Sequence, residues 1–277
     1  RRPCLKTSLS SYLYYNYSLE DAIRNTAAAG FDAIDIWGGR PHAYRDDLHE
    51  HEIRRIRLLL NDLGLTVTSL IPAQTHSQIN LCHPKKAIRS DSVAYLNTCV
   101  ETAARLGAPI ISVLPGHRLH DQDMDAAWDL LADSLVQICE FASNYNVLIA
   151  IEPADVYESD LINTSIQALD MLEQIGCENL GVLFNTGHAL LAGEDTSTVI
   201  CNLGDQLLHV HLSDNDGKSD QHLVPGQGIF DFKALIHALQ LTLYEGSLTA
   251  EPGWDYTLDP EPAAIACQDF MQNLIDS

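Results

Sequence analysis

Positive charge is scarce in this sequence. Among 277 residues, 16 are lysine or arginine against 38 aspartates and glutamates, a formal net charge of −22. A surface of that sign repels a phosphate backbone and argues against a nucleic-acid partner. Long apolar runs are missing as well. No window approaches the roughly 18 unbroken apolar residues that a membrane-crossing helix needs. The opening Arg1-Arg2-Pro3 leads into no apolar stretch of the kind a secretion signal carries. The expectation is therefore a cytoplasmic protein with no membrane partner. Cysteines stand at positions 4, 82, 99, 139, 177, 201 and 267, odd in number and never spaced C-x-x-C. That disfavours a disulfide framework and a thiolate metal site, and reads as reduced thiols used in packing. No G-x-G-x-x-G follows the first apolar run, so a dinucleotide-binding fold has no support. Low-complexity segments and linkers are absent too, and residues 1–277 read as one domain.

What is present is a rhythm. A short β-rich run, a polar loop, a helical stretch and then a glycine or turn recur from end to end. The β-rich runs fall at 5–9, 33–36, 66–71, 110–114, 147–151, 180–184, 207–212 and 247–250. Between them apolar residues recur at helical spacing: Leu19, Ile23 and Ala27 after the cap Ser18 and its partner Asp21; Ile53, Ile56, Leu60 and Leu63 before Gly64; Val93, Leu96, Val100 and Ala104 before Gly107. Leu131, Leu135, Ile138 and Ala142 continue the pattern, then Ile166, Leu169 and Leu172 before Gly176. Shorter helices are expected at 198–203 and 232–239, and a closing one at 262–275. Strands alternating with helices imply a parallel sheet. Eight such units in a chain near the roughly 250 residues of an α/β barrel predict a single (β/α)8 TIM barrel. The three longest loops, at 37–47, 72–84 and 213–231, each follow a strand and so belong to the catalytic face.

Active sites of such barrels form where strands end. Strand five ends in Glu152, strand six at Asn185 with His188 three residues on, strand seven carries His209 and His211, and strand eight ends in Glu251. Two carboxylates, an imidazole and an amide oxygen on one rim form a mixed oxygen–nitrogen donor set. It suits Mn²⁺, Mg²⁺, Co²⁺ or Zn²⁺. Any one of these residues could instead pair with a neighbouring arginine or cap a helix; four in register point to a site. His209 and His211 share a strand face, and His211 lies nearer the rim. Glu158, His188, Asp220, His222, His117 and His76 fall in loops of the same face. Glu158, His188 and His222 flank the proposed ligands and are candidate substrate contacts. Trp37, Arg40, His42 and the 72–84 loop are candidates to shape the pocket, and packing on the rim is the rival role for each.

Several stretches carry a family resemblance: Asp35-Ile36-Trp37-Gly38-Gly39-Arg40-Pro41-His42-Ala43-Tyr44, then Glu152-Pro153 with Tyr157-Glu158-Ser159, and His222-Leu223-Val224-Pro225-Gly226-Gln227-Gly228. The chain resembles the xylose-isomerase-like barrels over nearly its whole length, and within them the fructoselysine and ketose 3-epimerases. The resemblance implies that Glu152, Asn185, His211 and Glu251 hold one divalent ion, most readily Mn²⁺. It implies that Glu152 and Glu251 are also the acid/base pair, and that Glu158 and His188 contact a sugar near its carbonyl. Such a site would epimerise or isomerise a keto-sugar or sugar derivative, taking and returning a proton through an enediolate stabilised by the metal. Homodimers and homotetramers occur in the family.

One position departs from the family. Where Asn185 stands, aspartate is usual, and an amide brings no charge to a cation; weaker metal binding is expected. The same chemistry leaves two rival enzyme classes. A lyase or dehydratase, acting on an oxidised sugar, a cyclitol or a C-glycoside, would expel a leaving group from the same intermediate. An apurinic endonuclease would use a similar barrel with three zinc ions, and His76, His117, Glu152, His188, His211, Asp220, His222 and Glu251 fall roughly where its ligands would. The net charge of −22 opposes that second class. A binding module without catalysis is the remaining alternative, and Asn185 is what favours it.

Overall fold

The computed structural model describes residues 5–74 and 78–276; Cys4 and His76 lie outside that set. Eight strands run in order: β1 (Lys6–Ser10), β2 (Ala33–Gly38), β3 (Thr66–Pro72), β4 (Ile110–Val113), β5 (Leu148–Ile151), β6 (Leu180–Asn185), β7 (Leu207–Leu212) and β8 (Ser247–Ala250). Each pairs in parallel with the next, and β8 pairs with β1, which closes the barrel. The surrounding helices are α1 (Leu19–Ala28), α2 (Glu50–Leu63), α3 (Lys86–Leu106), α4 (Met124–Ser143), α5 (Ser165–Ile175), α6 (Thr186–Leu191), α7 (Thr196–Leu203), α8 (Phe232–Leu241) and α9 (Pro260–Asp276). The (β/α)8 barrel read from the sequence is the observed fold.

Local signals set the helix ends. Ser18 caps α1 by accepting the Asp21 N–H at 3.1 Å. Helix α2 stops at Gly64, whose φ of 69° is left-handed and strained for any residue with a Cβ. Helix α6 went unread in the sequence. It starts directly at the end of β6, and its six residues are too few to display a 3.6-residue period.

Side-chain alternation along each strand sorts the interior. On β5, Ile149 and Ile151 join the main apolar core beneath the helices, while Ala150 faces the barrel axis with Ile110 and Leu183. On β6, Val182 and Phe184 face outward in the same way; on β7, Val210 and Leu212; on β8, Leu248 and Ala250. The residues in the opposite phase, Glu152, Asn185, His211 and Glu251, are thereby turned to the inside. Pairing slips between Ile34 and Asp35 in β2–β3, and between Val182 and Leu183 in β6–β7. One extra residue on the partner strand, Thr68 and Leu208 respectively, is accommodated at each slip, as in a β-bulge.

Candidate active site

The barrel interior changes character from bottom to top. Above the apolar layer of Ile110, Ala150 and Leu183 lies a polar layer centred on Asp35 of β2. The Asp35 carboxylate accepts hydrogen bonds from His209 Nε2 at 2.7 Å, from His211 Nε2 at 3.0 Å and from the hydroxyl of the bulge residue Thr68. Burial alone would push this carboxyl up. The adjoining His209 imidazole, and then that of His211, outweigh it and hold Asp35 well below the usual carboxylate range.

His211 links this layer to the rim. Its Nε2–H is committed to Asp35, so in the neutral ring Nδ1 carries the lone pair. That atom is buried and has no hydrogen-bond partner. It points between Glu152 Oε1, 3.6 Å away, and Glu251 Oε2, 3.4 Å away. Burial opposes a charge on His211, but Glu251, with Asp35 and Glu152 behind it, raises the imidazole well above its ordinary value. An orphaned imidazole nitrogen between two carboxylates, with its other nitrogen held by a third, attracts a proton or a metal cation. A carboxylate–imidazole pair behind a ligand is the usual way in which a metal-binding histidine is oriented. The residues present therefore fit a divalent ion, with Glu152, His211 and Glu251 as donors.

Asn185 joins them from the end of β6. Its Nδ2 donates to Glu152 Oε1 at 2.9 Å and to Glu251 Oε2 at 3.1 Å. Its Oδ1 faces away, accepting the Gly187 N–H at 3.0 Å and the Ser213 hydroxyl at 2.9 Å. The amide oxygen read in the sequence as a metal donor is thus turned from the centre, because it caps α6. Burial would raise the Glu251 carboxyl, but the imidazoles of His211, His222 and His188 outweigh it and lower its pKa.

A second group stands beside the first. His222 Nε2 lies 2.8 Å from Asp220 Oδ2, and His188 Nε2 lies 3.9 Å from Glu152 and 3.7 Å from Glu158. His188 Nδ1 accepts the Asp155 N–H at 3.3 Å, which leaves its Nε2 as the face turned to the pocket. Burial pushes the Glu158 carboxyl up to about 7, partly offset by His188. The loop carrying Asp220 and His222 is shaped from below by Asp214, which accepts N–H groups of Gly226, Gly228 and Phe230 at 2.9 to 3.1 Å. A Cβ at Gly228 would sit 2.3 Å from Asp214 Oδ1, so that turn requires glycine.

Glu152, Glu158, His188, Asp220, His222 and Glu251 line a cavity of about 730 Å³ at the carboxyl ends of the strands. Its opposite wall is aromatic: Tyr12 meets Trp37 edge-on at 5.1 Å, and Trp254 packs against Tyr15 at 4.8 Å. No lysine or arginine lines it among the described residues.

Glu152, Asn185, His211 and Glu251 come together as expected from their strand ends, and Glu158, His188, His222 and Trp37 line the cavity. Other candidates are placed elsewhere. His117 turns Nε2 to the Tyr157 carbonyl at 2.9 Å and ties two rim loops together outside the cavity. Arg40 is exposed and paired with Asp47. His42 is buried behind the wall, between the Ser11 hydroxyl and the Tyr14 carbonyl. Of the 72–84 loop, Pro72, Ala73 and Gln74 line the cavity. The sequence reading did not single out Tyr12 and Trp254 for the wall, or Asp35 as the partner of both histidines. An aspartate alternating between Ile34 and Ile36 in an apolar strand was the available signal for the last.

A family model described as xylose isomerase-like TIM barrel matches residues 23–274. The fructoselysine 3-epimerase of Shigella flexneri is 27% identical over 256 residues, 92% of this chain and 93% of that protein. A solved structure of L-ribulose 3-epimerase superposes with a TM-score of 0.85 at 23% identity, covering 98% of this chain and 95% of the other. A D-psicose 3-epimerase from Clostridium cellulolyticum H10, solved with D-tagatose, has a TM-score of 0.83 at 20% identity over 98% and 99% of the two chains.

Proposed function

Because the chain belongs to the xylose isomerase-like TIM-barrel family, we propose that it is an enzyme that epimerises or isomerises a keto-sugar or sugar derivative, with Glu152 and Glu251 as the acid/base pair. The observation that carries this is the pairing of the two carboxylates across a single amide, with the buried, unpartnered His211 Nδ1 between them. A divalent cation held by Glu152, His211 and Glu251 would polarise the substrate carbonyl and acidify the adjoining C–H. Mn²⁺ is the first ion to supply, and Mg²⁺, Co²⁺ and Zn²⁺ suit the same donors.

In this reading one glutamate removes the proton from the carbon beside the carbonyl. The other returns a proton to the opposite face, and the two exchange protons before the next turnover. Glu251, held ionised by its imidazole neighbours, is ready to act as base. Glu158, pushed up to about 7, retains a proton on part of the population at neutral pH and can donate a hydrogen bond to a sugar oxygen. His188 Nε2 faces the same region from the other side. The lining, rich in carboxylates and without lysine or arginine among the described residues, disfavours a phosphorylated or carboxylated substrate and favours a neutral or amine-bearing one. The aromatic wall offers flat apolar surface to the C–H face of a sugar.

The test is proton exchange. Ketoses and their amine adducts are incubated with the Mn²⁺-loaded protein in D₂O and followed by proton NMR. Deuterium should enter at the carbon beside the carbonyl as the epimer appears, and ketose phosphates should be inert. If no ketose exchanges in any of the four ions, the proposal fails. A new ultraviolet absorbance from an unsaturated product would move the protein to the lyases.

A further inference from the structure

We propose that Asn185 acts as a clamp on the two carboxylates and not as a metal ligand, so that the cation is held by Glu152, His211 and Glu251 alone. This rests on the metal-centre reading above.

The inference starts from the helix that follows. Helix α6 begins with no intervening loop, and Asn185 is both the last residue of β6 and the N-cap of α6. A capping side chain must present an oxygen to the first helical N–H groups. Oδ1 does so, accepting the Gly187 N–H at 3.0 Å. The Ser213 hydroxyl donates to the same oxygen at 2.9 Å. Ser213 is itself fixed, its N–H bound to Thr186 Oγ1 at 2.9 Å and its carbonyl accepting the Thr186 hydroxyl at 2.6 Å. A backbone N–H can only donate. Turning the amide over would set Nδ2–H against Gly187 N–H and lose that bond, while the Ser213 hydroxyl, which can also accept, would have to reverse its role.

With the oxygen committed, the two Nδ2 hydrogens have one destination each, Glu152 Oε1 and Glu251 Oε2. All four hydrogen-bonding positions of the amide are then used. An amide nitrogen with two hydrogens has no lone pair to offer a metal. It aims the positive end of its dipole at the carboxylates, easing their mutual repulsion and keeping them together. An aspartate here could cap α6 with one oxygen and ligate with the other. The asparagine cannot do both.

The experiment measures Mn²⁺ dissociation constants for the wild type, Asn185→Ala and Asn185→Asp, by electron paramagnetic resonance of free Mn²⁺, together with thermal melts in EDTA. Losing a residue that supplies no ligand should leave Asn185→Ala within about threefold of the wild type, or tighter. Asn185→Asp should bind at least about tenfold tighter. In EDTA both variants should melt several degrees lower, because the carboxylates lose their shared donor. If Asn185→Ala, with its far-ultraviolet circular dichroism intact, binds Mn²⁺ about tenfold or more weakly, the amide oxygen is a ligand and the clamp is wrong. If that variant does not fold, Asn185→Ser, which can still cap α6, takes its place under the same criteria. If no form binds metal, the metal-centre reading fails, and equal melts in EDTA would then sink the clamp as well.

Discussion

Strands β5 to β8 each bring an ionisable or amide side chain to the mouth of the barrel: Glu152, Asn185, His211 and Glu251. Strands β1 to β4 bring Ser10, Trp37, Pro72 and Ser112 to the same cavity, and no carboxylate or imidazole of theirs lines it among the described residues. In the proposed reading, one half of the barrel would move a proton and hold a cation, and the other would offer shape. The difference teaches that chemistry and recognition can vary separately on one closed sheet. Asp35 is the exception. It belongs to β2 but reaches across the interior to orient both histidines of β7.

The sharpest way to break this comparison is to disarm the second half. Glu152→Gln and Glu251→Gln should each lower turnover by at least about 10³-fold while shifting the melt by only a few degrees. Deuterium exchange and calorimetry on the same samples check both. Retention of a tenth of the activity in either variant would remove the proton-transfer role from that strand.

Asp35→Asn tests the exception. With its carboxylate gone, His211 loses the partner that fixes Nε2–H, and Mn²⁺ affinity should fall about 10- to 100-fold. Unchanged affinity would show that the first half does not contribute to the centre.

The aromatic wall should respond differently. Trp37→Ala and Tyr12→Ala should raise KM about tenfold and leave kcat within about twofold, the pattern of lost uniform binding. A fall in kcat with KM unchanged would mean that the wall takes part in the transition state.

The remaining effect is on stability and leaves the site chemistry untouched. Burial pushes the His42 imidazole down to about 4, only partly offset by its bond to the Tyr14 carbonyl. The folded chain therefore refuses a proton that the unfolded chain accepts. Stability from this group is complete above the ordinary histidine pKa of about 6.5 and is lost as pH falls towards 4, by roughly 3 kcal/mol in all. His42→Gln should melt lower than the wild type at pH 7 and show a shallower decline between pH 7 and 4. Parallel melting curves across that range would contradict the assignment.

Much of this was legible in the sequence. Every strand core and most helices follow from period-two and period-3.6 patterning, because each element must bury one face. The residues at strand ends are legible for the same reason: once Ile149 and Ile151 face the helices, Glu152 must face inward. Other features had no local signal. Asp35 meets His209 and His211 across 174 and 176 residues of sequence, so no window contains both partners. His117 follows β4 as a site residue would, yet the Tyr157 carbonyl in a neighbouring loop draws it outside the cavity.

The sequence by itself determined the eight-fold alternation, the inward phase of each strand and the excess of carboxylates, since these depend only on local spacing and composition. The tertiary structure decided which of those residues converge and which atom of each faces the centre. Asn185 shows the physical reason. Its identity permits either end of the amide to face Glu152 and Glu251, but the local Gly187 N–H can only donate and claims the oxygen, and the carboxylates brought by β5 and β8 accept from the nitrogen.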